Sequence, residues 1–193
     1  MHLFEKLFKG QAQELTVSVH LNARYQPIDR GAYEDLTERF LQERGWGRLG
    51  TGGGTRMAPE GYPAACDFDI VVARAHLDDV CAALDKAFYV PKGSRLIIGK
   101  RERPIGQQEG LALYLNGTEL PETVYRTSDV NAVIKGLEAH LGEARGRFLS
   151  FWMGPKETAL YFYGPSYAEM KAALEEIIPR YPLCDKCRME QIA

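Results

Sequence analysis

The chain has 193 residues, of which 45% are hydrophobic and 26% charged, and its formal net charge is -2. Such a balance belongs to an ordinary globular protein, long enough for one large domain or two small ones. Neither half carries the clustered Lys and Arg of a nucleic-acid groove, and no apolar run approaches the about 20 residues of a membrane span, so neither nucleic acid nor membrane is expected as a partner.

The N-terminus, MHLFEKLFKGQAQ, spaces Leu3, Phe4, Leu7 and Phe8 as on a helix, with charges between them. It reads as an arm or short helix over residues 1–14, and its charges exclude the apolar core of a signal peptide. The cytoplasm is therefore the expected location. The four cysteines are then expected as thiols, not as a disulfide framework.

From there the elements follow in order. LTVSVHLN (15–22) alternates apolar and polar residues, as a strand does. Asp29 is placed to cap a helix reaching Arg44, with Tyr33, Leu36 and Phe40 on one face and Gly45 as its stop. GRLGTGGGTRM and AACDFDIVVA read as two strands. HLDDVCAALDKAF follows as a helix with Leu77, Cys81, Leu84 and Phe88 on one stripe. PKGS then turns the chain into a last strand, RLIIG.

The second half repeats this order. GLALYLNG (110–117) is a strand, and Ser128 is placed to cap a helix with Val130, Val133, Leu137 and Leu141 inward. GRFLSFWMG and ETALYFYG form a hairpin around Pro155-Lys156. Ser166 and Glu169 make a capping box for SYAEMKAALEEII, and YPLCDKCRMEQIA supplies a closing strand. Within the shared order, VHLN answers LYLN, CAALDKAF answers KAALEEII, and Gly-Arg opens the second strand of each half.

Both halves thus read β-α-β-β-α-β. The expected fold class is α+β, two tandem ferredoxin-like units with mainly antiparallel sheets. The units are placed at 15–99 and 111–193, with a polar, turn-rich linker over 100–110. The alternative is a single α+β domain with an irregular eight-stranded sheet.

Candidate chemistry begins with GRLGTGGGT (47–55). Gly50 and Gly52 fit a dinucleotide fingerprint, but Thr55 holds the third glycine's place, and RMAPEGYP then blocks the helix that must meet a pyrophosphate. No Gly-Lys-Ser/Thr follows for a P-loop. The run reads instead as an edge strand in which Gly52, Gly53 and Gly54 mark a bulge or a close approach of backbone or ligand.

Alternation in CDFDIVV turns Cys66, Phe68 and Ile70 toward the helices and Asp67 and Asp69 toward the open sheet face. On the first strand, Ser18, His20 and Asn22 share that face. Because the first and third strands are antiparallel neighbours in this topology, His20 is expected beside Asp67. Such a set can bind a divalent metal or act as an acid–base pair, or it can be a solvated ion pair of little energetic weight. The glycines should leave space over the two carboxylates.

In the second half the open face collects Phe148, Ser150, Trp152, Ala159, Tyr161 and Tyr163, joined by Tyr114 and Asn116. Exposed, this aromatic surface with hydroxyl and amide groups would anchor a ligand or partner. Packed sheet against sheet, it would be core. Cys184-x-x-Cys187 is half of a zinc knuckle without two further ligands, while Cys66 and Cys81 suit the core. No Ser-His-Asp or Cys-His spacing and no cofactor motif stands out. Ser166 in GPSYAE is explained as a helix cap.

The segments GTGGGT, CDFDI, PKGS, GLALYLNG, ETALYFYG and YPLC together resemble a family of small bacterial cytoplasmic proteins of unassigned role, itself loosely similar to immunity-type proteins of toxin systems. The likeness covers most of 15–193 and carries over no catalytic motif. It implies a protein-binding or unassigned role, while the missing catalytic constellation and the aromatic second face lead to a non-enzymatic protein, immunity-like in the leading reading, that recognises a partner or ligand of identity left open through its sheet faces. His20, Asp67, Asp69, Gly52, Gly53, Gly54, Tyr114, Trp152, Tyr161 and Tyr163 are the candidate ligand residues. The alternative is a small metal-binding protein or enzyme using His20, Asp67 and Asp69.

Overall fold

The computed structural model describes residues 14–193. The N-terminal arm expected at 1–14 therefore lies, but for Glu14, outside the described residues. The first unit runs β1 (Glu14–Leu21), α1 (Pro27–Arg44), β2 (Gly47–Met57), β3 (Pro63–Ala73), α2 (Leu77–Asp85), β4 (Ser94–Ile98) and β5 (Arg101–Ile105). The second runs β6 (Glu109–Asn116), α3 (Glu122–Thr127), α4 (Val130–Arg145), β7 (Arg147–Met153), β8 (Glu157–Gly164), α5 (Tyr167–Ile177) and β9 (Arg188–Gln191). Two antiparallel sheets result, ordered β2-β3-β1-β4-β5 and β7-β8-β6-β9. Each contains the strand order of a ferredoxin-like unit, so the single eight-stranded sheet is excluded.

Residue chemistry explains most boundaries. Pro27 opens α1 at a position whose N–H needs no intrahelical partner. Gly45 ends it in the left-handed region at φ 64°, and the N–H groups of Gly45 and Trp46 close on Gln42 and Leu41. Ser166 caps α5 as expected, accepting from the Glu169 N–H. Two caps differ from the sequence reading. Asp29 lies inside the first turn of α1 and accepts a hydrogen bond from the Ser150 hydroxyl at 2.6 Å. Asp129, not Ser128, caps α4, because α3 carries the chain up to Thr127 and Ser128 closes on Val124.

The segment expected as a linker is more ordered than that. RERPI forms the edge strand β5 on β4, and its outward charges and Pro104 suit an edge that discourages further pairing. Its end is tied back to the first unit: Gly106 N–H donates to Asp85, and Lys92 N–H donates to the Gln108 carbonyl. Glu109, at the start of β6, then accepts from Lys92 Nζ and from the Tyr167 N–H, both at 2.6 Å. These two bonds, that of Lys92 first, hold the Glu109 carboxyl below its ordinary value.

One core fills each unit between sheet and helices. In the first, Val17, Val19, Leu21, Phe68, Ile70 and Val72 meet Leu41, Val80 and Leu84. In the second, Leu111, Leu113, Leu160 and Phe162 meet Val133, Leu137, Met170 and Leu174. The outer face of the second sheet belongs to the first unit's core. Ala112, Tyr114, Leu149, Ala159, Tyr161 and Tyr163 are buried in one cluster with Tyr25 and Cys66. The seam is built by the loop after β1 and the start of α1. Arg24 N–H donates to Tyr163 Oη at 2.8 Å, Gln26 N–H to Ser150 Oγ at 3.1 Å, and Tyr33 Oη to the Leu149 carbonyl at 3.1 Å. The Tyr25 ring lies edge-on to Tyr163, with centroids 5.5 Å apart.

β7 departs from simple alternation. Its register on β8 slips between Phe148 and Ser150, so Leu149 turns into the seam and Phe148 packs against Phe162 on the helix side. The reverse parity expected for these two residues is corrected by that bulge, in which one extra residue flips the faces that precede it.

Ser150 is almost wholly buried and bridges Gln26 and Asp29 across the seam. Ser150→Ala is expected to cost about 1–3 kcal/mol in urea unfolding, since it strands a buried N–H and a carboxylate. Because the seam is shared core, unfolding followed at Trp46 and at Trp152 in single-tryptophan variants should coincide. Two separated transitions would contradict a shared core.

Candidate functional site

The open face of the first sheet is built by register. β1 and β3 pair so that His20 stands opposite Asp67 and Ser18 opposite Asp69. His20 Nδ1 meets Asp67 Oδ1 at 2.6 Å, with the histidine side chain 12% and the carboxylate 49% exposed. Ser18 Oγ donates to Asp69 Oδ1, also at 2.6 Å. The three residues considered as one set thus divide into two pairs, and Asp69 is turned toward serine. Among the described residues no group of three or more His, Cys, Asp or Glu is placed to hold a metal ion. Ser18, His20, Asp67, Asp69 and Val71 are half-buried and Thr16 is exposed, so this face is neither core nor fully solvated.

The glycines of β2 sit beside these carboxylates in a wide bulge. Leu49 pairs with Ile70 and Gly53 with Phe68, leaving Gly50, Thr51 and Gly52 opposite Asp69 alone. A Cβ on Gly52 would lie 2.2 Å from Asp69 Oδ2, and one on Gly50 would lie 2.7 Å from Asp69 Cβ. The expectation of empty space over both carboxylates is corrected here: the glycines let the β2 backbone close around Asp69. Gly53 has φ 153° and its Cβ position lies 2.8 Å from the Asp67 carbonyl oxygen. Of the β2 glycines, only Gly54, opposite Asp67, has a Cβ position that meets nothing within 4 Å among the described residues.

The aromatic residues of the second half do not form the exposed surface that alternation alone suggested. Tyr161 is 0%, Tyr163 2% and Tyr114 5% exposed, because the first unit covers them, and only Trp152 of this set keeps partial exposure. Burial pushes the Tyr163 hydroxyl well above its ordinary range. No hydrogen bond, ion pair or ring contact among the described residues joins this group to His20, Asp67 or Asp69.

The cysteines are separated as well. Cys66 and Cys81 are buried in the first unit. Cys184 ends the turn Pro182–Cys184, and Cys187 precedes β9, so the pair lies in a loop and not on the closing strand expected from the sequence. Burial pushes Cys66 and Cys184 up to about 12 and raises Cys81 and Cys187, which keeps these thiols protonated and weakly nucleophilic near neutrality.

Arg24 and Gln26 are the residues that sequence reasoning missed, and Asp29 figures in it only as a helix cap. They lie in the polar stretch NARYQPID, where no period or motif marks Arg24 or Gln26 above its neighbours.

No family model matches the chain, and no curated protein matches it. Three solved structures show distant likeness. One is an unknown protein from Galdieria sulphuraria, 12% identical, with 93% of this chain and 96% of that chain covered and a TM-score of 0.28. Another is the ligand-free regulatory subunit of aspartate kinase from Thermus thermophilus, 15% identical over 86% and 95%, with a TM-score of 0.27. The third comprises the first two RRM domains of yeast poly(U)-binding protein, 10% identical over 92% and 99%, with a TM-score of 0.24. At such identities and scores they assign this chain neither ligand nor partner. Among the described residues no helix is long and apolar enough to cross a membrane.

The bulge yields a paired prediction. Gly52→Ala is expected to cost about 1–3 kcal/mol, as overpacking against a fixed side chain does, whereas Gly54→Ala should stay within about 0.5 kcal/mol. Thermal or urea unfolding measures both. Asp69→Ala should recover much of the Gly52→Ala loss, and strict additivity of the two would contradict the packing of Asp69 against Gly52.

Proposed function

We propose that this is a non-enzymatic binding protein that engages a protein partner through the polar face of its first sheet. The supporting observation is the pairing on that face, His20 with Asp67 and Ser18 with Asp69 on adjacent strands, each at 2.6 Å. Two carboxylates at strand spacing on a rigid sheet present negative charge in a fixed geometry. Asp67 is the more open of the pairings' accessible groups, and Gly54 beside it leaves room for an approaching backbone. A basic side chain carried on an extended segment or loop of a partner complements such a face. The likeness to immunity-type proteins leads to the same class of partner. The matching face of the second sheet is spent on the seam, which leaves the first face to do the binding.

One observation favours a second reading. A histidine ring held by a carboxylate at 2.6 Å is also how an acid–base residue or a metal ligand is oriented.

A photo-crosslinking residue at Val71, on the same face, is expected to capture one defined partner in cells of the source organism. The same residue at Glu138 on the outside of α4 should not, and Asp67→Asn should abolish the Val71 adduct. Equal capture at both positions, or none at Val71, would overturn the proposal. A rise in melting temperature with Zn²⁺ or Mn²⁺ that His20→Ala removes would instead support the metal reading.

A further inference from the structure

A second locus lies at the seam, around Arg24, and owes nothing to the polar face of the first sheet. Arg24 is half-buried in the loop between β1 and α1. Its backbone N–H is fixed by Tyr163 Oη, and its Nη1 donates to Tyr114 Oη at 2.5 Å. The guanidinium carbon lies 4.7 Å from the centre of the Tyr62 ring and 5.7 Å from that of Tyr161. Tyr62 in turn meets Trp152 edge-on, with centroids 5.9 Å apart. Both units therefore build the cage: Tyr62 comes from the turn between β2 and β3, and Tyr114, Trp152 and Tyr161 come from the second sheet.

The groups in direct contact with this cation, Tyr62, Tyr114 and Tyr161, are neutral. Burial raises the Tyr114 hydroxyl and pushes that of Tyr161 up to about 12, against the opposing pull of Arg24. The neighbours that act on Arg24 are tyrosines, with no carboxylate among the described residues. Glu157 and Glu190, the acids on this side of the sheet, pair with Arg188, whose guanidinium lies 3.6 Å from the centre of the Tyr114 ring. Tyr161 is wholly buried beside the guanidinium, and among the described residues its O–H finds no acceptor.

A guanidinium carries five N–H donors in a planar fork. Here the side chain spends one on Tyr114, and the Tyr161 O–H donates to none of the described residues. Positive charge with surplus donors and no acceptor is complemented by an anion. A guanidinium without a direct ion pair among the described residues suits a monoanion, and its fork matches the two oxygens of a carboxylate. Tyr62 and Trp152, both half-buried, supply an aromatic panel beside it for a planar apolar body. We propose that Arg24, Tyr62, Trp152 and Tyr161 form a binding site for a small aromatic carboxylate at the seam between the two units.

Benzoate is the probe, with benzamide and inorganic phosphate as comparators. In ¹⁵N-resolved NMR, benzoate is expected to shift the Trp152 indole resonance saturably and to leave Trp46, in the first unit, unmoved. Benzamide, which has the ring but not the charge, should fail, and so should phosphate, which has the charge but not the ring. Arg24→Gln should weaken benzoate at least roughly tenfold, the scale of a charged hydrogen bond. Should that variant not fold, Tyr62→Leu removes the ring face without touching a seam hydrogen bond and should weaken benzoate several-fold. Asp67→Asn should leave the response unchanged, which separates this site from the partner-binding face. An unmoved Trp152, equal responses to benzoate and benzamide, a phosphate response matching that to benzoate, or a folded Arg24→Gln that binds as the parent does would each overturn the proposal.

Discussion

Docking of the second sheet onto the loop that follows β1 decides what each unit has left to offer. That loop brings the backbone N–H groups of Arg24 and Gln26 into a partly buried setting, where an unpaired donor is costly. The second sheet satisfies them with hydroxyls, Tyr163 for Arg24 and Ser150 for Gln26. The polar atoms on an otherwise aromatic face thereby have a structural cause. β6 is buried along nearly its whole length on both sides, whereas β1 alternates between buried and half-buried residues from Val17 on and is exposed at Glu14 and Thr16. Two units of one topology have therefore diverged: one sheet face became interior, and the other stayed open.

The second strands of the two units show the same divergence locally. Both lie at a sheet edge and both slip register against their neighbour, as edge strands often do. In β7 the slip turns Leu149 into the seam and adds apolar area to the interface. In β2 the slip is wider, and glycine is required because the backbone wraps a carboxylate. The glycine run is thus explained by Asp69, and phosphate chemistry need not be invoked.

Much of this was legible in the chain, for physical reasons that can be named. Period-two alternation in LTVSVHLN, CDFDIVV and ETALYFYG and helical spacing in CAALDKAF and KAALEEII specify the elements, and their recurrence specifies two units. Topology and parity together put His20 and Asp67 on one face of neighbouring antiparallel strands, and their places near the end of β1 and the start of β3 bring them level. β5 was not legible, because RERPI has no apolar alternation and its pairing rests on a tight turn at Gly99, which adopts φ 60°. The β7 bulge was hidden for the opposite reason, in that RFLSFWM is apolar enough to satisfy either parity. Arg24 was beyond reach altogether, because its importance comes from residues 38 to 139 positions away that only the packing of the units brings together.

The central claim is that the second sheet's aromatic face is interior, closed by the first unit. Hydroxyl-radical footprinting read by mass spectrometry tests it residue by residue, because the ten tyrosines of the chain are spread across both environments. Tyr25, Tyr161 and Tyr163 should remain unmodified in the native protein while the half-buried Tyr62, Tyr125 and Tyr167 are labelled. Labelling of Tyr161 and Tyr163 at the rates of Tyr125 and Tyr167 would contradict the account.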